Sequence, residues 1–149
     1  MPAAAVDLDA VLGDTRALWD AWAEDVSRRA RLGLELPADR AAAAAVLDEA
    51  LPNWAALLER FASDHAPVFL RPDATVNAAL RRLGAAGVRL GAFTDAPEPL
   101  ARVAAAHLGA TRRLEVLEAG PGALDRLLAR LGRDATVVRS RDELARLEG

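Results

Sequence analysis

Residues 3–15 read AAAVDLDAVLGDT, a short apolar run that gives way to acidic residues and then to glycine. A run of this length with a β-branched residue is typical of a buried strand, and the glycine that follows favours a loop. Asp7 and Asp9 are separated by one residue where the strand ends, so both carboxylates point to the same side of the chain. The pattern predicts a strand at residues 3–8 with two acids at its carboxyl end.

A helical region follows this strand. Apolar residues recur at helical spacing over residues 15–31, and the same spacing predicts two more helices over residues 37–49 and 52–66. The tryptophans of the chain lie on these apolar faces, and they are Trp19, Trp22 and Trp54. We expect them to pack within these helices or at an interface, and not to form an aromatic cage for a ligand.

Strands and helices alternate in the rest of the chain. The predicted strands are residues 88–93, 114–117 and 135–138, and each is separated from the next by a helix. This alternation predicts an α/β fold with a parallel sheet of about five strands flanked by helices. The helical residues 15–66 then form a small cap inserted after the first strand, and residues 1–14 and 67–149 form the α/β core.

Composition excludes several classes of protein. The net charge of -3 is modest, and acidic and basic residues are interleaved along the chain. We therefore expect no nucleic-acid partner. The chain has no cysteine, which excludes disulfides and thiolate metal sites and favours a reducing cytoplasm. The first residues do not show a charged segment followed by an apolar one, so we expect no secretion. The uncharged stretches are too short to cross a bilayer, so we expect no membrane partner.

The chemistry is expected at the carboxyl ends of the strands, because open parallel sheets bind ligands there. Two neighbouring carboxylates can divide the work at one phosphate: Asp7 attacks phosphorus, and Asp9 protonates the leaving group and later activates water. Two acids in this spacing also occur in ordinary strand-to-loop turns. The spacing alone leaves both interpretations open.

The chain resembles the haloacid-dehalogenase-like (HAD) phosphatase superfamily in its order of motifs. The first HAD motif is D-x-D-G-T-L with D-S or D-T soon after, and residues 7–15 match it in both acids, the leucine and the trailing Asp-Thr. The second motif is a strand that ends in Ser or Thr, which Thr94 matches, with Asp95 in place of the usual Asn. Residues 71–87 and the helical insertion resemble the phosphoglycolate-phosphatase-like branch of the superfamily.

This resemblance implies a phosphomonoesterase that acts on a small phosphorylated metabolite. It assigns Asp7 as nucleophile and Asp9 as general acid and base, and it implies Mg²⁺ as cofactor, bound between Asp7 and the backbone carbonyl of Asp9. It also implies that Thr94, Asp95 and Ala10 contact the substrate.

Two motifs of the superfamily are missing. Gly120 stands where the third motif has a lysine, and the chain contains no lysine. In the fourth motif, Ser140 and Leu144 stand at the positions of the metal-binding acids. Losing one preorganised charge of this kind costs roughly a hundred- to a thousandfold in rate.

The segment after the last strand has two interpretations. Ser140 and Glu143 form a capping-box pattern, in which Ser140 caps the last helix and Glu143 reaches back. Alternatively Asp142 or Glu143 holds a metal. Arg139, just beyond the strand, is either a solvated strand-end arginine or supplies the missing positive charge.

The missing motifs favour a second hypothesis for the function, as an alternative to the phosphatase. In it the chain is a non-catalytic HAD-fold protein that binds a ligand or a partner chain, including a second copy through the cap helices. An arginine in the metal position, either Arg139 or Arg102, would oppose catalysis.

Overall fold

Four parallel strands form one sheet in the order β3-β2-β1-β4. The computed structural model describes residues 2–29 and 35–148. The strands are β1 (Ala3–Asp7), β2 (Arg89–Thr94), β3 (Val116–Ala119) and β4 (Thr136–Val138). The predicted α/β class and parallel sheet are confirmed. The expectation of about five strands was wrong, since the described residues form four.

All four strands differ from the prediction by one or two residues at one or both ends, and the differences at β1 and β3 have a clear local cause. β1 ends at Asp7 because Leu8–Leu12 forms one π-helical turn, which the Gly13 N–H closes on the Leu8 carbonyl at 3.0 Å. β3 was predicted to begin at Leu114, but the N–H of that residue bonds the Ala110 carbonyl in a turn, and pairing with β2 begins two residues later.

Both faces of β1 are buried, and its small side chains let helices approach closely. Ala4 and Val6 belong to one apolar cluster, whereas Ala3 and Ala5 belong to another on the opposite face. This alternation is the period-two geometry of a strand covered on both sides.

Seven helices accompany the sheet in the described ranges. They are α1 (Arg16–Arg29), α2 (Arg40–Ala50), α3 (Trp54–Phe69), α4 (Ala74–Ala85), α5 (Glu98–His107), α6 (Ala123–Leu131) and α7 (Arg141–Arg146). α6 packs against one face of the sheet, where a Cβ built on Gly91 would lie 2.5 Å from Leu127 Cδ1. Glycine at this position therefore allows the close approach of α6.

The helices α1, α2 and α3 lie in the chain between β1 and α4. The tryptophan rings pack inside them, with centroids 5.2 Å apart for Trp19 and Trp22 and 6.2 Å apart for Trp22 and Trp54. The predicted end of the third helix, residue 66, was too early, because α3 continues through Pro67 to Phe69. The division into a cap and a core stays a prediction.

No helix in the described part of the chain is long and apolar enough to span a bilayer.

Candidate active site

The ends of β1, β2 and β4 meet at one edge of the sheet and open on a cleft of about 380 Å³. The carboxyl ends coincide because the strands are parallel, with Asp7 paired to Phe93 and Val6 to Val138. The predicted residues Asp7, Asp9, Thr94 and Asp95 all line this cleft. The sheet topology thus brings together the acids and the threonine that the motifs pointed to.

Asp7 lies at the end of β1 with 23% of its side chain exposed. Its Oδ1 accepts a hydrogen bond of 3.4 Å from the Ala10 N–H, so this amide faces Asp7. Its Oδ2 lies 3.9 Å from Arg139 Nη1. Burial raises the pKa of Asp7 above its ordinary value of 3.8, and the nearby charge of Asp9 raises this pKa further, while Arg139 acts in the opposite direction.

Asp9 is held by hydrogen bonds on both carboxylate oxygens. Its Oδ1 accepts from the Thr15 N–H at 2.9 Å and from the Thr15 hydroxyl at 2.5 Å. Its Oδ2 accepts from the Thr94 hydroxyl at 2.6 Å. Thr94 was expected to donate to a phosphate, yet its hydroxyl hydrogen is directed at Asp9, and its oxygen accepts from the Ala96 N–H at 3.1 Å.

Arg40, the first residue of α2, enters the site and was missed by the sequence analysis. Its side chain is 2% exposed, and it donates to the Thr15 hydroxyl at 2.7 Å and to Asp95 Oδ1 at 2.6 Å. Its Nη2 also lies 3.6 Å from Asp9 Oδ2. Nothing in the spacing of residues 37–49 indicates this contact, because it depends on how α2 packs over the site.

Asp95, expected as a substrate contact, forms ion pairs with two arginines. Besides Arg40, Arg16 Nη2 lies 3.8 Å from Asp95 Oδ2. The Asp95 side chain is 59% exposed. Its charge is therefore offset within the protein.

The segment after β4 follows the capping interpretation. The Ser140 hydroxyl accepts from the Glu143 N–H at 3.1 Å and caps α7. The Glu143 carboxylate reaches back to the Arg139 N–H at 3.1 Å, one residue earlier than the capping box predicts. Asp142 is exposed and is not among the described residues that line the cleft.

The two arginines named for the metal position lie in different places. The Arg139 side chain borders the cleft and its guanidinium carbon lies 5.5 Å from the centre of the Phe93 ring. Arg102 pairs with Glu59 and Glu98 instead. Only Arg139 of these two therefore contacts the acids of the site.

The loop of the third motif has a backbone that favours glycine. Gly120 has a φ of 84°, in the left-handed region that side chains rarely adopt. A lysine at this position would therefore be strained.

The donor groups do not fit the implied Mg²⁺. This ion demands near-octahedral oxygen coordination. The described residues contain no cluster of three or more Asp, Glu, His or Cys side chains suited to a metal. Asp7 faces Arg139 at 3.9 Å, and Ser140 and Leu144 stand where the fourth motif has its metal-binding acids.

The raised pKa of Asp7 predicts how an Asp7→Asn variant changes stability with pH. A carboxyl whose folded-state pKa lies above its unfolded value stabilises the protein below the unfolded pKa, and that contribution is lost as pH rises through the folded pKa. Asp7→Asn is therefore expected to raise the melting temperature at pH 7 and to lose this advantage towards pH 4. Melting curves across this range test it, and a variant less stable at pH 7 would contradict it.

Comparisons with known proteins identify the fold. No family model matches the sequence, and no curated protein matches it either. The structure superposes on the crystal structure of a protein assigned as a beta-phosphoglucomutase from Thermotoga maritima, with a TM-score of 0.56 and 21% identity over 97% of this chain and 80% of that chain. At this identity the likeness shows the fold alone. The chain has the HAD-like α/β fold that its motifs predicted.

Proposed function

We propose that this chain is a non-catalytic HAD-fold protein that binds a small phosphorylated metabolite at the carboxyl edge of its sheet. The observation that carries the proposal is the state of Asp9. Hydrogen bonds from Thr15 and Thr94 occupy both of its oxygens, and Arg40 pairs with it. Asp9 thus accepts hydrogen bonds within the protein on both carboxylate oxygens, an arrangement that supports a positioning role for Asp9 over proton transfer.

Charge pairing supports the binding of a phosphate. A phosphate about 4 Å from an unpaired carboxylate meets repulsion of about 4 kcal/mol per charge pair at an effective dielectric of 20. Each carboxylate at the strand ends forms an ion pair with an arginine, which offsets this repulsion within the protein. The pairs are Asp7 with Arg139, Asp9 with Arg40, and Asp95 with Arg40 and Arg16.

The N-terminus of α6 adds an attractive group. Its first residues, which include Asp125, line the cleft; its N-cap Gly122 has no capping side chain, and the Ala123 N–H donates to the Gly120 carbonyl at 3.2 Å. Backbone N–H groups at a helix N-terminus favour anions. The neighbour of like fold is named for a reaction of a phosphorylated sugar, which agrees with a phosphorylated ligand.

A slow phosphatase is the second candidate, and the position of Asp7 favours it. Both acids are partly exposed to the cleft, 23% for Asp7 and 21% for Asp9, but among the described residues Asp7 accepts only the 3.4 Å hydrogen bond from the Ala10 N–H, whereas Asp9 accepts from two threonine hydroxyls. In that reaction a carboxylate oxygen of Asp7 forms a bond to phosphorus as the ester oxygen leaves with its electron pair, and water then hydrolyses the aspartyl phosphate. The missing lysine and metal ligands argue against efficient turnover.

Hydrolysis of p-nitrophenyl phosphate separates the two candidates. Its leaving group departs without a proton, so the assay detects attack by Asp7 even while Asp9 is held. We expect wild type, Asp7→Asn and the control Asp142→Asn to give the same background rate, with or without Mg²⁺. A wild-type rate that Asp7→Asn abolishes and Asp142→Asn retains would establish the phosphatase instead.

The expected self-association through the helices between β1 and α4 stays a proposal. The tryptophans do not supply its surface, because all of them are buried within one chain.

A further inference from the structure

The register of the sheet places an arginine beside Asp7. Val138 of β4 pairs with Val6 of β1, so the residues that follow them, Arg139 and Asp7, leave the sheet side by side. Arg139 Nη1 lies 3.9 Å from Asp7 Oδ2. A guanidinium group therefore stands next to the carboxylate that the HAD resemblance assigns to a metal.

Contacts along Arg139 hold it in this position. Its backbone N–H donates to Glu143 Oε2 at 3.1 Å, which fixes the chain at the start of α7. Its guanidinium carbon lies 5.5 Å from the centre of the Phe93 ring, a distance at which a cation is attracted to the ring face. The side chain nevertheless stays 57% exposed and borders the cleft, so it can still reach a ligand.

We propose that Arg139 takes the place of the divalent cation, and that the cleft binds a phosphate group without metal. Arg139 offsets the charge of Asp7 and presents its remaining N–H donors to phosphate oxygens, a geometry for which guanidinium is well suited. A guanidinium group so close to Asp7 also repels a divalent metal ion. The phosphate part of this inference rests on the proposed function, whereas the displacement of metal from Asp7 does not.

Calorimetric titration tests the two parts separately. In the first arm Mg²⁺ alone is titrated into the wild-type protein, and we expect no saturable binding. In the second arm inorganic phosphate is titrated in EDTA and again in Mg²⁺, and we expect the same affinity in both. Arg139→Ala is expected to weaken phosphate binding by about tenfold or more, since hydrogen bonds to a charged group are lost, and Arg139→Lys is expected to restore part of it.

Arg102→Ala is the matched control, because Arg102 is exposed to a similar degree, 54%, but pairs with Glu59 and Glu98 away from the cleft. It is expected to bind phosphate like the wild type. Saturable binding of Mg²⁺ to wild type, a phosphate affinity that rises with Mg²⁺, or an Arg139→Ala variant that binds phosphate like Arg102→Ala would overturn the inference. If wild type binds no phosphate in either buffer, the proposed function fails, and titration of Mg²⁺ into wild type and Arg139→Ala still decides whether Arg139 excludes the metal, since only the variant is then expected to bind it.

Discussion

Trp22→Ala is expected to lower the free energy of unfolding by about 3–5 kcal/mol. The Trp22 side chain is 1% exposed and lies between the rings of Trp19 and Trp54. Its removal leaves a cavity where α1 meets α3, and the neighbouring rings lose their contacts. Unfolding in urea, followed by circular dichroism, measures the change.

Val68→Ala provides the comparison for this prediction. Val68 belongs to α3 but is 71% exposed, so its truncation is expected to change the free energy of unfolding by less than about 0.5 kcal/mol. If both variants unfold at the same urea concentration as the wild type, Trp22 does not anchor the packing of α1 against α3.

Arg40→Met is expected to lower the free energy of unfolding by about 2 kcal/mol, since Asp9 and the buried Thr15 hydroxyl lose a buried guanidinium, while Asp95 is 59% exposed and keeps Arg16. Methionine keeps much of the side-chain length and suits a helix. Without the guanidinium, Asp9 and Asp95 lose their shared cation and the Thr15 hydroxyl loses a donor. Urea unfolding at pH 7 measures the loss.

Arg16→Met is the matched control for Arg40→Met. Arg16 also pairs with Asp95, but its side chain is 44% exposed, and exposed pairs contribute less than about 1 kcal/mol. We expect a small loss for Arg16→Met and a large one for Arg40→Met. Equal losses would mean that the buried ion pairs of Arg40 stabilise the fold no more than the exposed pair of Arg16.

The residues of the site differ in how far the sequence could predict them. Asp7 and Thr94 end neighbouring strands, so the parallel topology alone brings them to one edge. The cap on α7 was predicted because Ser140 and Glu143 have the spacing of a local motif. These features depend on contacts that are close in sequence or fixed by the sheet.

Other features depend on packing that the pattern does not encode. Arg40 donates hydrogen bonds to Thr15, 25 residues away in sequence, and to Asp95, 55 residues away. It lies on α2, a helix outside the part of the chain where strands and helices alternate. The π-helical turn Leu8–Leu12 is a rare conformation without a distinctive composition. The hydrogen bonds that Asp9, within this turn, accepts from Thr15 and Thr94 argue against turnover and became visible only in the structure.

Binding of a phosphate ester in the cleft without hydrolysis can be followed by ³¹P NMR of phenyl phosphate mixed with wild-type protein, in EDTA and again in Mg²⁺. In both buffers we expect the ester resonance to shift or broaden with protein concentration while its area stays constant and no inorganic phosphate forms over hours. An unperturbed ester resonance would contradict binding, and growth of an inorganic phosphate resonance that Asp7→Asn abolishes would contradict the non-catalytic role.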